Sequence, residues 1–167
     1  NGYSEEWHKE AAKRGLPNNR TTVDALPALE TAKAKAVFSK FGVLSERELE
    51  ARAEINWERY VKVVNIEANV ALDMARTMIL PAAVRHLTQL GAAAGASSGV
   101  KGLAGQAGKL TDALIDAIAA LEKAQKAAHG AGSVHAEAKA FETKVIPAQE
   151  ALRSAVDALE RAEEHTS

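Results

Sequence analysis

The most unusual ionisable residue in the sequence is Glu67, which lies in a strongly apolar segment. Residues 65–84 read NIEANVALDMARTMILPAAV, and on a helical wheel Glu67 falls on an apolar stripe. The other members of this stripe are Tyr60, Val63, Val70 and Met74. A carboxylate on an apolar face must bond a partner or become protonated. Enzymes use carboxylates in such surroundings as general acids, general bases or metal ligands.

Catalysis or metal binding by Glu67 would require a second carboxylate or a histidine nearby. A Glu-x-x-His pair would place both groups on one helical face, whereas His86 lies too far along the same predicted helix. We therefore predict a structural role for Glu67, in which it bonds an Arg, a Lys, a Tyr hydroxyl or a loop backbone. The catalytic alternative stays open at this stage.

Other residues that could take part in catalysis or binding give weaker signals. Asp73 belongs to a second, polar stripe and is predicted to be solvated or paired. The histidines show no metal-ligand spacing, although His129 and His135 flank one predicted turn. Trp7 and Trp57 are interpreted as core anchors. The segment GLAGQAG at 102–108 lacks the preceding strand and the Gly-Lys-Ser/Thr ending of a phosphate loop. The polar stripe consists of Glu58, Lys62, Asn65, Asn69, Asp73 and Arg76.

Composition and charge exclude several classes of protein. The 167 residues carry a net charge of −1 without a strongly basic tract, so no nucleic-acid footprint is present. The chain has no cysteine, which excludes disulfides and thiolate metal sites. Its apolar runs are shorter than the roughly 20 residues of a membrane span. The sequence begins with Asn and shows no signal peptide, so we expect a piece of a longer cytoplasmic protein.

Caps and glycines in the N-terminal part predict two short helices. Ser4 is an N-cap followed by acidic residues and Gly15 is a stop, which predicts a helix over 5–14. A second helix is predicted from Pro27 to Phe41, because proline is favoured in the first turn and a glycine follows Phe41. The apolar face of this second helix is predicted to consist of Val37, Phe38 and Phe41.

One long central helix is predicted over 45–91. Ser45 and Glu48 form an S-x-x-E capping box at its start, and no stop signal precedes Gly91. At 1.5 Å per residue, such a helix is roughly 65 Å long. Pro81 lies inside it and removes one backbone hydrogen bond, so we predict a kink rather than a break.

The C-terminal part predicts an antiparallel helical hairpin after a small-residue linker at 92–100. Apolar residues repeat in alternating steps of four and three over 101–128 and over 134–164, which is a heptad seam on each helix. We expect Leu121 and Leu152 to pack in these seams, because the short turn between the helices makes them antiparallel. The predicted positions are Leu103, Ala107, Leu110, Leu114, Ala117, Leu121, Ala124 and Ala128, then Val134, Ala138, Phe141, Val145, Ala148, Leu152, Ala155, Leu159 and Ala162.

Together these elements predict an all-α protein. It is an antiparallel helical bundle with one long kinked central helix and a C-terminal helical hairpin over 101–167. Short helices occupy 1–44, and the whole of 1–167 is predicted to be a single domain. Pro147 predicts a further kink, in the last helix. No run of residues alternates with period two, so no strand is expected.

Three ordered motifs in the first half of the chain resemble the C-terminal region of type III glutamine synthetases. They are GYS-x-EW, RGLPN-x-x-TT-x-DALPAL and GVLSERELE-x-R, and the continuation NIEANVALDMARTMILPAAV is similar as well. The resemblance covers about 1–90. From 91 onward it consists mainly of helical character.

This resemblance implies a parent enzyme that joins ammonia to glutamate with ATP and divalent metal ions. In that family the active site is built largely by a β-rich catalytic region upstream of this segment, at subunit contacts in stacked rings. None of the family's catalytic motifs falls on a position of this sequence. We therefore predict no catalytic, cofactor-binding or metal-binding residue here and expect the chain alone to be inactive.

Two functions follow as expectations. In the first, the chain is an accessory domain that packs on the catalytic region of the same chain or on neighbouring subunits of a homo-oligomer. In the second, it is a free-standing helical interaction module that docks through the seam of its last two helices. The sequence encoded upstream of Asn1 distinguishes them.

Overall fold

The computed structural model describes residues 4–164, most of which are helical. No β-strand occurs within this range, as the sequence predicts. The chain separates into two compact units that divide between Glu58 and Arg59, so the single domain over 1–167 stays a prediction. The elements are α1 (Glu5–Lys13), α2 (Thr22–Ala25), a 3-10 turn (Leu26–Glu30), α3 (Ala32–Lys40), α4 (Glu46–Met74), a first π turn (Ala75–Ile79), α5 (Leu80–Ala93), α6 (Ser98–His129), α7 (Val134–Ala140), a second π turn (Phe141–Val145) and α8 (Ile146–Glu164).

N-caps determine where the short helices of the first unit begin. Ser4 caps α1 and Gly15 follows it with a φ of +72°, so the first predicted helix is confirmed. The predicted helix over 27–41 is wrong, because the backbone at Thr31 is extended and interrupts it. Thr31 Oγ1 accepts a hydrogen bond from the Ala34 N–H at 3.2 Å and thereby starts α3. Threonine competes with the helical backbone in this way and favours caps over helix interiors.

The core of the first unit is built around Trp57, whose side chain is 2% exposed. Its indole N–H donates to Glu30 Oε2 at 3.3 Å, which attaches the 3-10 turn to α4. Val37 and Phe41 are exposed and α3 buries none of its residues, so the predicted apolar face of that helix is not a core face. Trp7 is also exposed, which makes its interpretation as a core anchor wrong. The other buried apolar residues of this unit are Val23, Leu26, Leu49 and Ala53.

The predicted capping box fixes the start of α4. The Ser45 N–H donates to Glu48 Oε2 at 2.8 Å, and the Glu48 N–H donates to Ser45 Oγ at 3.3 Å. The hydrogen bonds from Ser45 lower the pKa of Glu48. Their contribution is therefore present above the ordinary pKa of a glutamate and is lost as the pH falls through the lowered value. Lys35 Nζ lies 2.8 Å from Glu46 and 2.6 Å from Glu50 and ties α3 to this first turn.

Pro81 does not end the long helix, because the turn before it is widened. The Leu80 N–H bonds the Ala75 carbonyl five residues back, which makes this segment a π turn. In a regular α-helix the proline ring would press on the carbonyl of Thr77. Thr77 Oγ1 donates to the Asp73 carbonyl at 2.7 Å. The interruption that Pro81 predicts thus takes the form of a π turn, at which helices commonly bend.

The hairpin repeats this construction before Pro147. The Ile146 N–H bonds the Phe141 carbonyl five residues back, and Thr143 Oγ1 donates to the Lys139 carbonyl at 2.7 Å. The two prolines share the local sequence T-x-[IV]-[IL]-P. The same local sequence therefore forms a π turn before a proline at two places in the second unit.

Helix α6 is the centre of the second unit and packs against both α5 and α8. Short turns join it to its neighbours, which makes consecutive helices antiparallel. The linker predicted at 92–100 is shorter than expected, since α5 ends at Ala93 and α6 begins at Ser98. Every position predicted for the seam of the last helix is buried or half-buried.

The seam of α6 differs from the prediction at alternate positions. Leu121 and Leu152 are 0% and 2% exposed, as the heptads predict, while their contribution to stability stays a prediction. Leu103, the first predicted position of this seam, is 39% exposed. Leu110, Ala117 and Ala124 are only half-buried, and their neighbours take the inner positions. The prediction followed apolar residues alone and therefore passed over two polar ones. The buried residues of α6 are Ala107, Thr111, Leu114, Ile118, Leu121, Gln125 and Ala128.

Candidate functional site

Glu67 lies on the exposed side of α4, and its structural role stays a prediction. Within residues 4–164 it forms no hydrogen bond or ion pair, and the partner predicted for it is not found there. Burial raises the pKa of the nearby Tyr60 hydroxyl, and the charges of Glu142 and Glu67 raise it further. In the second unit α4 instead buries Val61, Val64, Ala68 and Leu72, and the first π turn buries Ala75.

The apolar stripe that the sequence placed inside the bundle is a surface of the second unit. Val63 is 45% exposed and Ile66 is 61% exposed, and the rest of the stripe lies between these values. Single exposed apolar residues are ordinary, whereas a contiguous row of them marks an interaction site. We call this row the outer stripe; its residues are Val63, Ile66, Val70, Met74 and Met78.

An apolar groove of about 370 Å³ adjoins the outer stripe at Met74. It lies between α8 and the segment formed by α4 and the first π turn, and Ile79, Leu152 and Val156 contribute to its lining. Arg153 also lines it, and its Nε lies 2.6 Å from Asp157 Oδ1. The groove therefore extends the apolar surface from α4 towards α8.

A polar cleft of about 460 Å³ lies on the other side of α4, against α6. Its inner wall holds Gln125, which is only 8% exposed. The Gln125 Nε2 group donates to Asn65 Oδ1 and to Asn69 Oδ1, each at 3.0 Å. Both amide protons of this buried side chain are therefore used, and the two asparagines are held with their oxygens towards it.

Charged groups are paired at both ends of the polar cleft. Arg76 forms an ion pair with Glu122 of α6 at one end. At the other end His129 Nδ1 lies 2.6 Å from Glu137 Oε1, and its Nε2 lies 3.2 Å from Asn65 Oδ1. The polar stripe predicted on α4 is therefore partly a cleft wall, and the direction of these pairs shows that α4 and α6 run antiparallel.

The potential metal ligands of the described residues are dispersed. Within 4–164, no group of three or more His, Asp or Glu residues is placed to hold a metal ion. His129 is engaged by Glu137 and Asn65, and His165 lies outside the described residues. The segment 102–108 is part of α6 and so does not form a loop around a phosphate. Among the described helices, none combines the length and the apolar character needed to cross a membrane.

Comparison with known families identifies the chain. The family model of the glutamine synthetase C-terminal domain matches residues 1–97, which is more than half of the chain. The chain belongs to the glutamine synthetase C-terminal domain family. This confirms the resemblance seen in the N-terminal motifs. The family match includes α4 and α5, and with them the outer stripe, whereas α6, α7 and α8 lie beyond it.

Three curated relatives show similar identity to this chain, each over about half of its length. The type-3 glutamine synthetase of Dictyostelium discoideum is 42% identical over 85 residues, which are 51% of this chain and 12% of that protein. The glutamine synthetase of Bacteroides fragilis (strain YCH46) is 39% identical over 89 residues, or 53% of this chain and 12% of the relative. The glutamine synthetase of Butyrivibrio fibrisolvens is 38% identical over 76 residues, which are 46% of this chain and 11% of that protein. The match thus spans about an eighth of the length of these relatives.

The sequence interpretation missed the α6 wall of the polar cleft in this domain. Gln125 occupies a heptad position, between Leu121 and Ala128, where an apolar residue is the usual choice. Asn65 and Asn69 are four residues apart and therefore share a face of α4. A polar residue at an inner heptad position, together with an i, i+4 amide pair elsewhere, is the signal that would have indicated this contact.

Proposed function

We propose that this chain is the C-terminal accessory domain of a glutamine synthetase, an ATP-dependent glutamate–ammonia ligase. Its role is to pack on the catalytic region of the same chain or on a neighbouring subunit of a homo-oligomer. The observation that supports this most is the outer stripe, a row of exposed apolar side chains within the family-matched part of α4. The relatives are about eight times longer than the matched portion, so most of such an enzyme lies outside it and is available as a partner.

Burial of the outer stripe would contribute substantially to docking. Full burial of one large apolar side chain stabilises by about 1.5–3 kcal/mol, and these side chains are roughly half exposed. Five of them together offer several kcal/mol before the entropic costs of association are counted. Glu67 borders the same surface, so the docked segment is expected to bring a basic group or a hydrogen-bond donor to it.

The chemistry of the ligase belongs, in this proposal, to the catalytic region. ATP and divalent metal ions are bound there, in a cytoplasmic enzyme, and the chain studied alone does not form glutamine. Two of the charged side chains of the cleft are engaged by the domain itself, because Arg76 pairs with Glu122 and His129 Nδ1 contacts Glu137.

A free-standing interaction module is the weaker candidate. That function was expected to use the seam of the last two helices as its docking surface. Leu121 and Leu152 are buried within the second unit, so their side chains are occupied by the protein itself. The outer stripe, unlike the seam, is exposed and available to a partner.

Replacing Val70 with glutamate in the full-length protein is expected to weaken assembly. The side chain is 52% exposed, so the fold of this domain changes by less than about 0.5 kcal/mol, while a charge in a docked apolar surface is costly. Native mass spectrometry should show fewer complete oligomers. Limited proteolysis should release the domain more readily, and the ligase activity should be lower.

The matched control for this variant is Ile115→Glu on α6. Ile115 is 46% exposed, which is close to Val70, but it lies beyond the family match. The Ile115→Glu variant is expected to leave assembly unchanged. An upstream coding sequence without a glutamine synthetase catalytic region, or equal effects of both variants, would contradict the proposal.

A further inference from the structure

We propose that the polar cleft binds a small zwitterion of the α-amino-acid class. The carboxylate would lie at Lys126 and the side-chain amides of Asn65 and Asn69, and the ammonium group at Asp73. The proposal goes beyond the structural role given above and does not depend on it, because every group that it uses belongs to the second unit of this chain.

The first argument is that two hydrogen-bond donors are held in place from behind. Gln125, 8% exposed, donates to the oxygens of Asn65 and Asn69 at 3.0 Å each. With the oxygens fixed, the Nδ2 group of each asparagine is directed away from Gln125. Neither Nδ2 group has a hydrogen-bond partner among residues 4–164. A pair of oriented N–H donors suits a carboxylate, and pre-orientation lowers the entropic cost of binding.

The second argument concerns the charges that remain when the pairs in the cleft are set aside. Arg76 and Glu122 neutralise each other. Lys126 and Asp73 also line the cleft, and neither forms an ion pair or a side-chain hydrogen bond within the part of the chain that is described. One cation and one anion in the same cleft match a ligand that carries both charges. An anion alone would leave Asp73 opposed to a like charge or unpaired.

The third argument is size and shape. The cleft of about 460 Å³ lies towards the lower end of the range typical of small-molecule sites, roughly 300–1,000 Å³. Leu72 is the apolar member of its lining and faces the stem of a side chain. The cleft therefore fits a single amino acid better than a nucleotide or a folded partner.

The test is a nuclear magnetic resonance titration of this chain, labelled with ¹⁵N, using the common α-amino acids one at a time at millimolar concentration. The expected result is a saturable shift of the Asn65, Asn69 and Gln125 side-chain amide signals with at least one amino acid. For that amino acid, two analogues are then titrated, one without the ammonium group and one without the carboxylate. Each is expected to bind at least about tenfold more weakly, because the missing charged group leaves its partner in the cleft without a charge-assisted hydrogen bond.

Two variants test the assignment of the charges. Lys126→Gln and Asp73→Asn are each expected to weaken binding by about tenfold or more. Lys123→Gln, on the same helix and exposed but outside the cleft, is the control and should leave the affinity unchanged. The backbone amide spectrum verifies that each variant is folded. The proposal is overturned if no amino acid gives a saturable shift, if an analogue with one charge binds equally well, or if the control loses as much affinity as the two variants.

Discussion

Replacing Leu121 with alanine is expected to lower the free energy of unfolding of the second unit by about 2–5 kcal/mol. The side chain is 0% exposed and lies in the seam of α6, the helix that packs against both α5 and α8. The substitution leaves a cavity in the core of this unit, and the surrounding structure relaxes only in part. Leu152 is 2% exposed, so Leu152→Ala is expected to lower the free energy of unfolding by a similar amount.

Leu103→Ala is the matched control, because it makes the same substitution on the same helix. Leu103 is 39% exposed, so its replacement should cost less than about 1 kcal/mol. Hydrogen exchange of the α6 and α8 amides measures the loss without assuming that the whole chain unfolds in one step. Equal losses at Leu121 and Leu103 would mean that the seam is not the core of this unit.

Trp57→Ala is expected to destabilise the first unit by about 3–5 kcal/mol. Trp57 is 2% exposed and holds the 3-10 turn through its hydrogen bond to Glu30. Trp57→Phe keeps most of the ring and removes the N–H donor, so it should cost less, near the roughly 1 kcal/mol of a hydrogen bond plus the lost volume.

The control for Trp57 is Trp7→Ala, since Trp7 is 37% exposed. Hydrogen exchange of amides in α2, α3 and the start of α4 reports the stability of this unit directly. The first unit is expected to be much less stable in the Trp57→Ala variant than in the Trp57→Phe variant. The stability of the Trp7→Ala variant is expected to be close to that of the parent protein. A Trp7 variant as unstable as the Trp57 variant would contradict the assignment of the core.

Local signals in the sequence predicted the helices well. The caps at Ser4 and Ser45, the stop at Gly15 and the heptads of the last helix depend on neighbours in the sequence, and the structure has each of them. Thr31 shows the limit of such signals. A threonine inside an apparently helical run is weak evidence for a new N-cap until the backbone is seen.

The choice between two apolar faces of α4 could not be made from the sequence. Val64 and Ala68 are buried, while Val63 and Val70 are exposed, although both pairs have helical spacing. Which face is covered depends on where α6 and α8 lie, and that is a property of the tertiary structure. Glu67 is unusual in the sequence only if its stripe faces the bundle, and in the structure that stripe is exposed.

The polar cleft was beyond sequence interpretation for a related reason. Gln125 and Asn65 are distant in the chain and meet because α4 and α6 are antiparallel. The prolines illustrate an intermediate case. Pro81 and Pro147 predict an interruption, but the π turn that accommodates each of them also depends on hydrogen bonds formed around it.

The most direct measurement of docking through the outer stripe is photo-cross-linking from Val70 in the full-length protein. A photoreactive phenylalanine derivative is placed at this position, with a second sample carrying it at Ile115, and the cross-linked peptides are identified by mass spectrometry. The probe at Val70 is expected to cross-link to peptides of the catalytic region, in the same or a neighbouring subunit. The probe at Ile115 is expected to form no such cross-links. A Val70 sample that stays free of such cross-links while the protein is fully assembled would show that this surface does not pack on the enzyme.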